Sequence, residues 1–272
     1  KGLFFLHEGG GVLYHFFKDT IRRVDESFDW KSQYGSALFS DGKTIFNFGG
    51  YGIFTEKNFT AKFDVYTKQW FKACGQSKTM PTERESSRWY TRNSKFYLLG
   101  GHQEHSQQGD ILLNDVWTLD TKTEQWKKLG VCNKQITKSL EKRNVSSGSA
   151  EFLFFENVIY WLNLEKNYFK KFENNLAWHL KEIYSNQNSK ELVLLKYDIT
   201  HGIYSAALVQ EADLFSKPME TGEIYTPEAQ IYAEEQSKSK SIGIAIGIAA
   251  TMAAVLFFLY FYIKKRKARE LD

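Results

Sequence analysis

The sequence predicts an all-β fold of repeated four-stranded antiparallel sheets, followed by one transmembrane α-helix. Three features support this: an apolar strand that ends in a glycine pair occurs twice, a polar turn joining an aspartate to a tryptophan follows each copy, and 23 residues near the C-terminus carry no charge. Aromatic residues make up 16% of the 272 residues and proline contributes only 3, which excludes a disordered or proline-rich chain.

The first repeated feature is the strand that closes on two glycines. One apolar strand leads into Gly49 and Gly50, and a second leads into Gly100 and Gly101, 51 residues later. Because glycine has no side chain, a neighbouring backbone or ring can pack closely against it. The two pairs are therefore interpreted as structural residues of a repeat.

The second repeated feature is a polar turn that places an aromatic residue six positions after an aspartate. The pairs are Asp64 with Trp70, Asp120 with Trp126 and, in a weaker third copy, Asp198 with Tyr204. The third copy has no glycine pair, and residues 158–163 occupy the position in the repeat where the pair is expected. The aromatic residue is expected to cover the interface between adjacent sheets.

One repeat unit is predicted to be a four-stranded antiparallel meander. The dipeptide Asp41-Gly42 forms a tight turn between residues 35–39 and 44–48, which makes the first hairpin of the unit. The next unit repeats this hairpin around residues 92–94. A single sheet of this kind cannot bury both faces, so several units have to stack.

This unit resembles the kelch repeat, in which an apolar strand, Gly-Gly, a variable loop and a D-x-(x)-T-x-x-W turn follow one another. The resemblance is closest over residues 35–129, weaker over 1–34 and 143–209, and absent beyond. It implies a kelch-type β-propeller over residues 1–205, with about three to four blades and an incomplete first blade. Since closed kelch propellers commonly have about six or seven blades, we expect the chain to be a fragment of a longer one.

A narrower resemblance concerns the segment 23–30 and the residues around the first glycine pair, 48–54. Both are similar to membrane-anchored kelch proteins of bacteria that are often labelled galactose-oxidase-like. That label refers to the fold.

The uncharged segment 241–263 is long enough to cross a hydrocarbon layer about 30 Å thick. A buried core helix is the alternative, but such helices rarely extend beyond about 14 residues without a polar face. Five basic residues lie within 264–272, so the positive-inside rule predicts a cytoplasmic tail and an extracytoplasmic N-terminal region. The sequence thus predicts a single-pass membrane protein, and an export signal is expected upstream because none is visible.

The positive charge of the chain is concentrated in this tail. Residues 264–272 hold five basic and two acidic side chains, a net charge of +3, which leaves +1 of the total +4 for the preceding 263 residues. A nucleic-acid partner for the ectodomain is therefore not expected. Within the span, Gly243 and Gly247 form a GxxxG step that allows helix–helix contact and a homodimer; the alternative is that small residues are simply common in spans.

No constellation of catalytic residues is found, and we expect neither a cofactor nor a metal. The sugar oxidases that share the propeller need two Tyr, two His and a cross-linked Cys at copper, and nothing here reproduces that set. His102 and His105 could offer two imidazoles, but they lack a third ligand. Cys74 and Cys132 are interpreted as separate half-buried thiols, and a disulfide between adjacent blades is the alternative.

Irregular loops on a rigid propeller usually carry binding specificity, and three candidates are residues 51–60, 102–113 and 166–190. Residues 206–240 are predicted to form an extracytoplasmic stalk. The favoured function is a membrane-anchored binding module for a protein or glycan ligand, with the lipid bilayer contacted by 241–263. Two alternatives remain: the sensor ectodomain of a transmembrane signalling or regulatory protein with its output domain missing, and a galactose-oxidase-like carbohydrate-active enzyme.

Overall fold

A computed structural model of the chain describes residues 3–7, 11–27, 34–52, 54–105, 109–140, 151–155, 158–173, 179–185, 191–198, 200–215 and 217–233. Contacts divide the chain into a unit of residues 1–226 and a second unit of residues 227–272, in which 228–233 are helical. None of the helices within the described ranges is long and apolar enough to cross a membrane. The predicted span 241–263, with Gly243 and Gly247, and the tail 264–272 lie outside those ranges.

The first two blades of the structure are antiparallel sheets formed by consecutive strands. Blade 1 consists of β1 (Leu3–His7), β2 (Val12–Phe17) and β3 (Thr20–Arg23). Blade 2 consists of β4 (Ala37–Ser40), β5 (Ile45–Phe48), β8 (Thr60–Asp64) and β9 (Gln69–Ala73), and the small hairpin β6 (Tyr51–Gly52) and β7 (Thr55–Glu56) interrupts it after the glycine pair. Blade 2 is therefore the four-stranded meander that the repeat predicts.

The next two blades repeat this order with longer strands. Blade 3 consists of β10 (Arg88–Arg92), β11 (Lys95–His105), β12 (Gly109–Asp120) and β13 (Gln125–Cys132). Helix α1 (Lys134–Leu140) then leads towards blade 4, which consists of β14 (Phe152–Phe155), β15 (Val158–Asn163) and β16 (Tyr168–Glu173). Ile136 and Leu140 of the helix are buried in the cluster that also holds residues of both blades.

An additional sheet and two short strands follow blade 4. The inserted sheet consists of β17 (His179–Ser185), β18 (Glu191–Asp198) and β19 (Ile203–Gln210), and the short helix α2 (Glu211–Leu214) follows it. Strand β20 (Glu220–Gly222) then pairs with β16, and β21 (Tyr225–Pro227) lies next to β13. The outer edges of blades 3 and 4 are thus each completed by a strand from much later in the chain.

Hydrophobic clusters join each sheet to the next. Between blades 2 and 3, the Phe39 and Phe96 rings stack with centroids 3.7 Å apart, and Trp126 of blade 3 packs on Phe48 of blade 2 with centroids 4.8 Å apart. Corresponding clusters link blade 1 to blade 2, blade 3 to blade 4, and blade 4 to the inserted sheet. The result is a four-blade, propeller-like arrangement, so the predicted all-β fold is confirmed.

The stalk expected from residue 206 does not begin there. Strand β19 continues to Gln210, and β20 and β21 add residues 220–222 and 225–227 to the sheets of blades 4 and 3. Gly130 allows the close approach of β21, because a Cβ at that position would collide with the Thr226 carbonyl. Such edge strands are held by backbone hydrogen bonds, so their side chains need not show an apolar pattern.

All three stretches expected to be irregular loops contain strands within the described ranges. Residues 102–105 and 109–113 belong to the long hairpin of β11 and β12, in which His102 pairs with Leu112. The stretch 166–190 contains β16 and β17, and residues 51–60 contain the small hairpin of β6 and β7.

Candidate functional site

The repeated aspartates form the turns of their blades. The Asp64 carboxylate accepts backbone N–H bonds from Tyr66 at 2.8 Å and Thr67 at 3.0 Å. Asp120 does the same for Lys122 at 2.9 Å and Thr123 at 3.1 Å. These backbone donors, Thr67 for Asp64 and Thr123 for Asp120 foremost, lower the pKa of both carboxyls. Both aspartates are therefore explained by turn formation.

Blade 4 contains a copy of this turn that the sequence comparison missed. Asn163 accepts the Lys166 N–H at 3.0 Å, and Phe169 follows six positions after it. Leu162 pairs with Phe169, just as Leu119 pairs with Trp126 in blade 3. The amide oxygen of Asn163 replaces the carboxylate of the motif aspartate, and the ring of Phe169 replaces the indole of the motif tryptophan. The turn and the strand pairing are therefore kept although both motif residues differ.

The expected third copy, at Asp198 and Tyr204, belongs to the inserted sheet and not to blade 4. Tyr197 pairs with Tyr204 in the hairpin of β18 and β19. The residue four positions after the motif Asp or Asn has a positive φ in all of these turns; these residues are Lys68, Glu124, Asn167 and Gly202. Tyr204 is 63% exposed, however, so it does not cover an interface between sheets as Trp70 and Trp126 do.

The two repeat tryptophans are buried between blades. Trp70 is 3% exposed and Trp126 is 4% exposed. The Trp126 indole N–H donates to the Thr60 hydroxyl at 3.2 Å, which ties blade 3 to blade 2. The Trp126 backbone N–H donates to the Ser77 hydroxyl at 2.9 Å, as that of Trp70 does to Ser27 at 2.6 Å. These contacts give both tryptophans a structural role that requires no ligand.

The glycine pairs also have a structural explanation. Gly49 and Gly50 have φ values of 67° and 88°, and Gly100 and Gly101 have 58° and 120°, a region that other residues avoid. The Gly50 N–H donates to the Arg84 carbonyl at 2.7 Å, and a Cβ at Gly49 would lie 2.7 Å from that same oxygen. The first pair is thus where the segment leading into blade 3 crosses closely over blade 2.

Arg84 lies inside the protein between blades 2 and 3, with its backbone bonded to Gly50 and Lys57 of blade 2 and its side chain bonded to blade 3. Its side chain is 1% exposed, and its guanidinium meets the Asp115 carboxylate through two bonds of 2.6 Å and 3.0 Å. It also donates to the Gly100 carbonyl at 3.0 Å, and to the carbonyl and hydroxyl of Thr82 at 3.0 Å and 2.9 Å. These bonds use all five donors of the guanidinium, so its burial is fully compensated.

The Asp115 carboxylate is held in its charged form by this arrangement. Burial alone would raise its pKa, but the hydrogen bonds and charge of Arg84, together with the Trp117 indole N–H at 2.6 Å, lower the pKa below its ordinary value. The three polar groups satisfy one another within the protein. They form a structural bridge between blades rather than a site that awaits a substrate.

The two cysteines are separate buried thiols. Cys74 is 1% exposed and Cys132 is 7% exposed, and neither forms a disulfide. The reading as separate thiols is confirmed, although both are buried more completely than expected. Burial raises the pKa of Cys74 to about 11 and raises that of Cys132 as well.

Both thiols should therefore resist modification while the chain is folded. We expect no reaction with an aromatic disulfide reagent at pH 8, because neither sulfur is exposed and few thiolates exist at that pH. In denaturant, two thiols per chain should react. The measurement is the absorbance of the released chromophore, and rapid labelling of the folded chain would contradict the buried positions.

The backbone of His102 is paired with the segment that leads into blade 3. His102 is 8% exposed, and its backbone N–H and carbonyl both pair with Glu85 at 2.9 Å. Within the described ranges, no group of three His, Cys, Asp or Glu side chains could hold a metal ion.

The best candidate for ligand binding is an open groove of about 480 Å³, which we call the blade groove. It is lined by residues of β1, the β4–β5 hairpin, the β8–β9 turn and β10: Phe4, Leu38, Phe39, Ser40, Gly42, Lys43, Ile45, Val65 and Trp89. Val65 is 56% exposed although it is apolar. Three blades contribute to this lining, so no single repeat could indicate the groove from the sequence.

Comparison with known proteins supports the repeat. Residues 91–131 match the family described as the Kelch motif. This segment extends from the end of β10 into β13 and includes Gly100, Gly101, Asp120 and Trp126. A search of the curated proteins found no match. Together with the blade arrangement, the motif supports a kelch-repeat propeller.

Proposed function

We propose that this chain is a protein-interaction module of the kelch-propeller type and that it binds a polypeptide in the blade groove. The observation that carries the proposal is the groove itself, which is open, mainly apolar and formed by three blades. Its volume of about 480 Å³ falls within the range of ordinary ligand sites, which hold one or a few side chains. Rigid sheets hold the lining in place, so binding would require little reordering.

Binding is favoured over catalysis by the state of the polar side chains. A polar cluster between the blades consists of Arg84, Asp115 and Trp117, whose charges and N–H groups are already used within the protein. The groove contributes one charged side chain, Lys43, and otherwise mostly apolar surface. Such a lining suits recognition by hydrophobic contact better than it suits proton transfer.

We further propose that residues 241–263 anchor the module in a membrane with the propeller outside and the basic tail 264–272 in the cytoplasm. The support is the uncharged length of the segment and the basic residues that follow it. The anchor would hold the groove near the membrane surface, where it could capture a partner. Contact through Gly243 and Gly247 would pair two such modules.

Groove binding can be tested by selecting peptides from a displayed random library on the full-length chain in lipid nanodiscs. We expect selected peptides to bind the wild type and to bind the Val65→Gln variant about tenfold more weakly. The reason is that an amide would replace an apolar contact in the groove. Fluorescence polarisation of a labelled peptide measures the difference.

The matched control for this variant is Tyr66→Gln, in the same turn. Tyr66 is 93% exposed and does not line the groove, so its replacement should leave binding unchanged. If Val65→Gln and Tyr66→Gln bind as tightly as the wild type, the groove is not the binding site.

A further inference from the structure

A second cavity, of about 270 Å³, lies on blade 1 and is called the basic pocket here. It is lined by His15, Phe17, Lys18, Thr20 and Arg22. In the register of β2 and β3, His15 pairs with Arg22 and Phe17 pairs with Thr20. Paired residues point to the same side of a sheet, so all four side chains are on one face, and Lys18 stands at the adjoining turn.

The positive charge of this pocket is not neutralised by the described part of the protein. Lys18 and Arg22 are exposed, and neither has a carboxylate partner within those ranges. In contrast, Lys62, Lys68 and Arg84 each have a carboxylate oxygen within 2.7 Å. No acidic residue lines the pocket. It therefore offers two permanent positive charges to a ligand.

The basic pocket and the blade groove are next to each other. Phe4 lines the groove and His15 lines the pocket, and their rings stack with centroids 4.3 Å apart. A single aromatic stack therefore separates the two cavities. Every permanently charged residue in the two linings, namely Lys18, Arg22 and Lys43, is cationic.

We infer that the polypeptide bound by this module carries an acidic residue beside an apolar one, with the apolar side chain in the blade groove and the carboxylate in the basic pocket between Lys18 and Arg22. A guanidinium binds a carboxylate through two parallel hydrogen bonds, and the lysine adds a second positive charge. The inference rests on the proposed function and specifies the chemistry of its partner. A polypeptide is favoured over a nucleic acid because the adjoining groove is apolar.

The test uses the displayed random library and the full-length chain in nanodiscs made of uncharged lipid. We expect the selected peptides to be enriched in Asp or Glu within a few positions of Leu, Ile or Phe. When Gln replaces the acidic residue of the tightest synthetic peptide, its affinity for the wild type should fall about tenfold.

Charge reversal in the pocket provides the complementary measurement. The double variant Lys18→Glu and Arg22→Glu should lose about tenfold in affinity for the acidic peptide, whereas its affinity for the Gln peptide should change little. The control is Lys127→Glu, because Lys127 is exposed on β13 and lines neither cavity. Both lysine positions and Arg22 are on the surface, so the variants should fold.

The outcomes separate the inference from the proposed function. Peptides that bind in the groove without acidic enrichment, or a Gln peptide that binds as tightly as the acidic one, would overturn the inference and leave the proposed function standing. The inference would also be overturned, and the proposed function left standing, if the double variant Lys18→Glu and Arg22→Glu bound the acidic peptide as tightly as the wild type. If no peptide is selected on the wild type, both the proposed function and the inference are wrong.

Discussion

Replacing Arg84 with alanine is expected to lower the free energy of unfolding by about 3–5 kcal/mol, because removal of one partner leaves the charge of Asp115 buried and unpaired. Arg84 is 1% exposed and binds the Asp115 carboxylate through two hydrogen bonds, whereas Lys128 acts on that carboxylate through its charge. The loss would be a large share of the total stability of an ordinary domain. Urea unfolding followed by tryptophan fluorescence measures it.

The control for this variant is Arg92→Ala, which removes a surface ion pair. The Arg92 guanidinium lies 3.9 Å from the Glu165 carboxylate, and the two side chains are 46% and 40% exposed. Such pairs contribute about 0–1 kcal/mol, so the control should unfold close to the wild type. A loss of less than about 1 kcal/mol for Arg84→Ala would show that the bridge does not hold the blades together.

The same bridge makes stability depend on pH. The pKa of Asp115 is lowered in the folded chain, so its contribution is present above the ordinary carboxyl pKa and is lost as the pH falls through the lowered value. The difference in unfolding free energy between the wild type and Arg84→Ala should therefore shrink in acid. An unchanged difference would mean that the carboxylate is not the partner that matters.

The second large effect is expected for Trp126→Ala, which should cost about 3–5 kcal/mol. The indole packs against Phe48 at 4.8 Å and Phe96 at 5.8 Å, and its N–H donates to Thr60. Truncation of Trp126 would leave a cavity between blades 2 and 3, and the Thr60 hydroxyl would lose the indole N–H that donates to it. Thermal and urea unfolding of the variant should both show the loss.

Tyr204→Ala is the matched control, since Tyr204 stands at the corresponding position of the turn in the inserted sheet. Its 63% exposure predicts a change of less than about 0.5 kcal/mol. If Trp126→Ala and Tyr204→Ala both lowered the free energy of unfolding by several kcal/mol, the position in the repeat and not the burial would determine the effect. If both losses were small, the close packing of Trp126 between blades 2 and 3 would be contradicted.

Blades 2 and 3, which have the aspartate and tryptophan of the motif, could be found from the sequence. Blade 4, in which asparagine and phenylalanine replace them, could not. Asp64 with Trp70 and Asp120 with Trp126 identified the outer hairpins of blades 2 and 3, and the structure places both tryptophans between sheets. In blade 4, Asn163 accepts the same type of turn hydrogen bond through an amide. A search for a hydrogen-bond acceptor followed six positions later by a large ring would have found this copy.

The candidate site depends on contacts between distant residues and could not be predicted. Arg84 and Asp115 are 31 positions apart, and neither belongs to the repeated glycine pair or to the aspartate–tryptophan turn. The blade groove combines β1, β4, β5 and β10 with residues of two turns, while the basic pocket depends on the register of β2 against β3. Sequence patterns report the faces of single elements, whereas these features arise where elements meet.

The central claim, that a polypeptide binds in the blade groove, is tested most directly by photo-crosslinking. The photoreactive residue p-benzoylphenylalanine would replace Val65 in one full-length chain and Lys127 in another, and each would be irradiated with the tightest selected peptide. Mass spectrometry should locate a crosslink from position 65 to the apolar residue of the peptide and none from position 127. A crosslink at position 127 alone, or equal crosslinking at both positions, would contradict the claim.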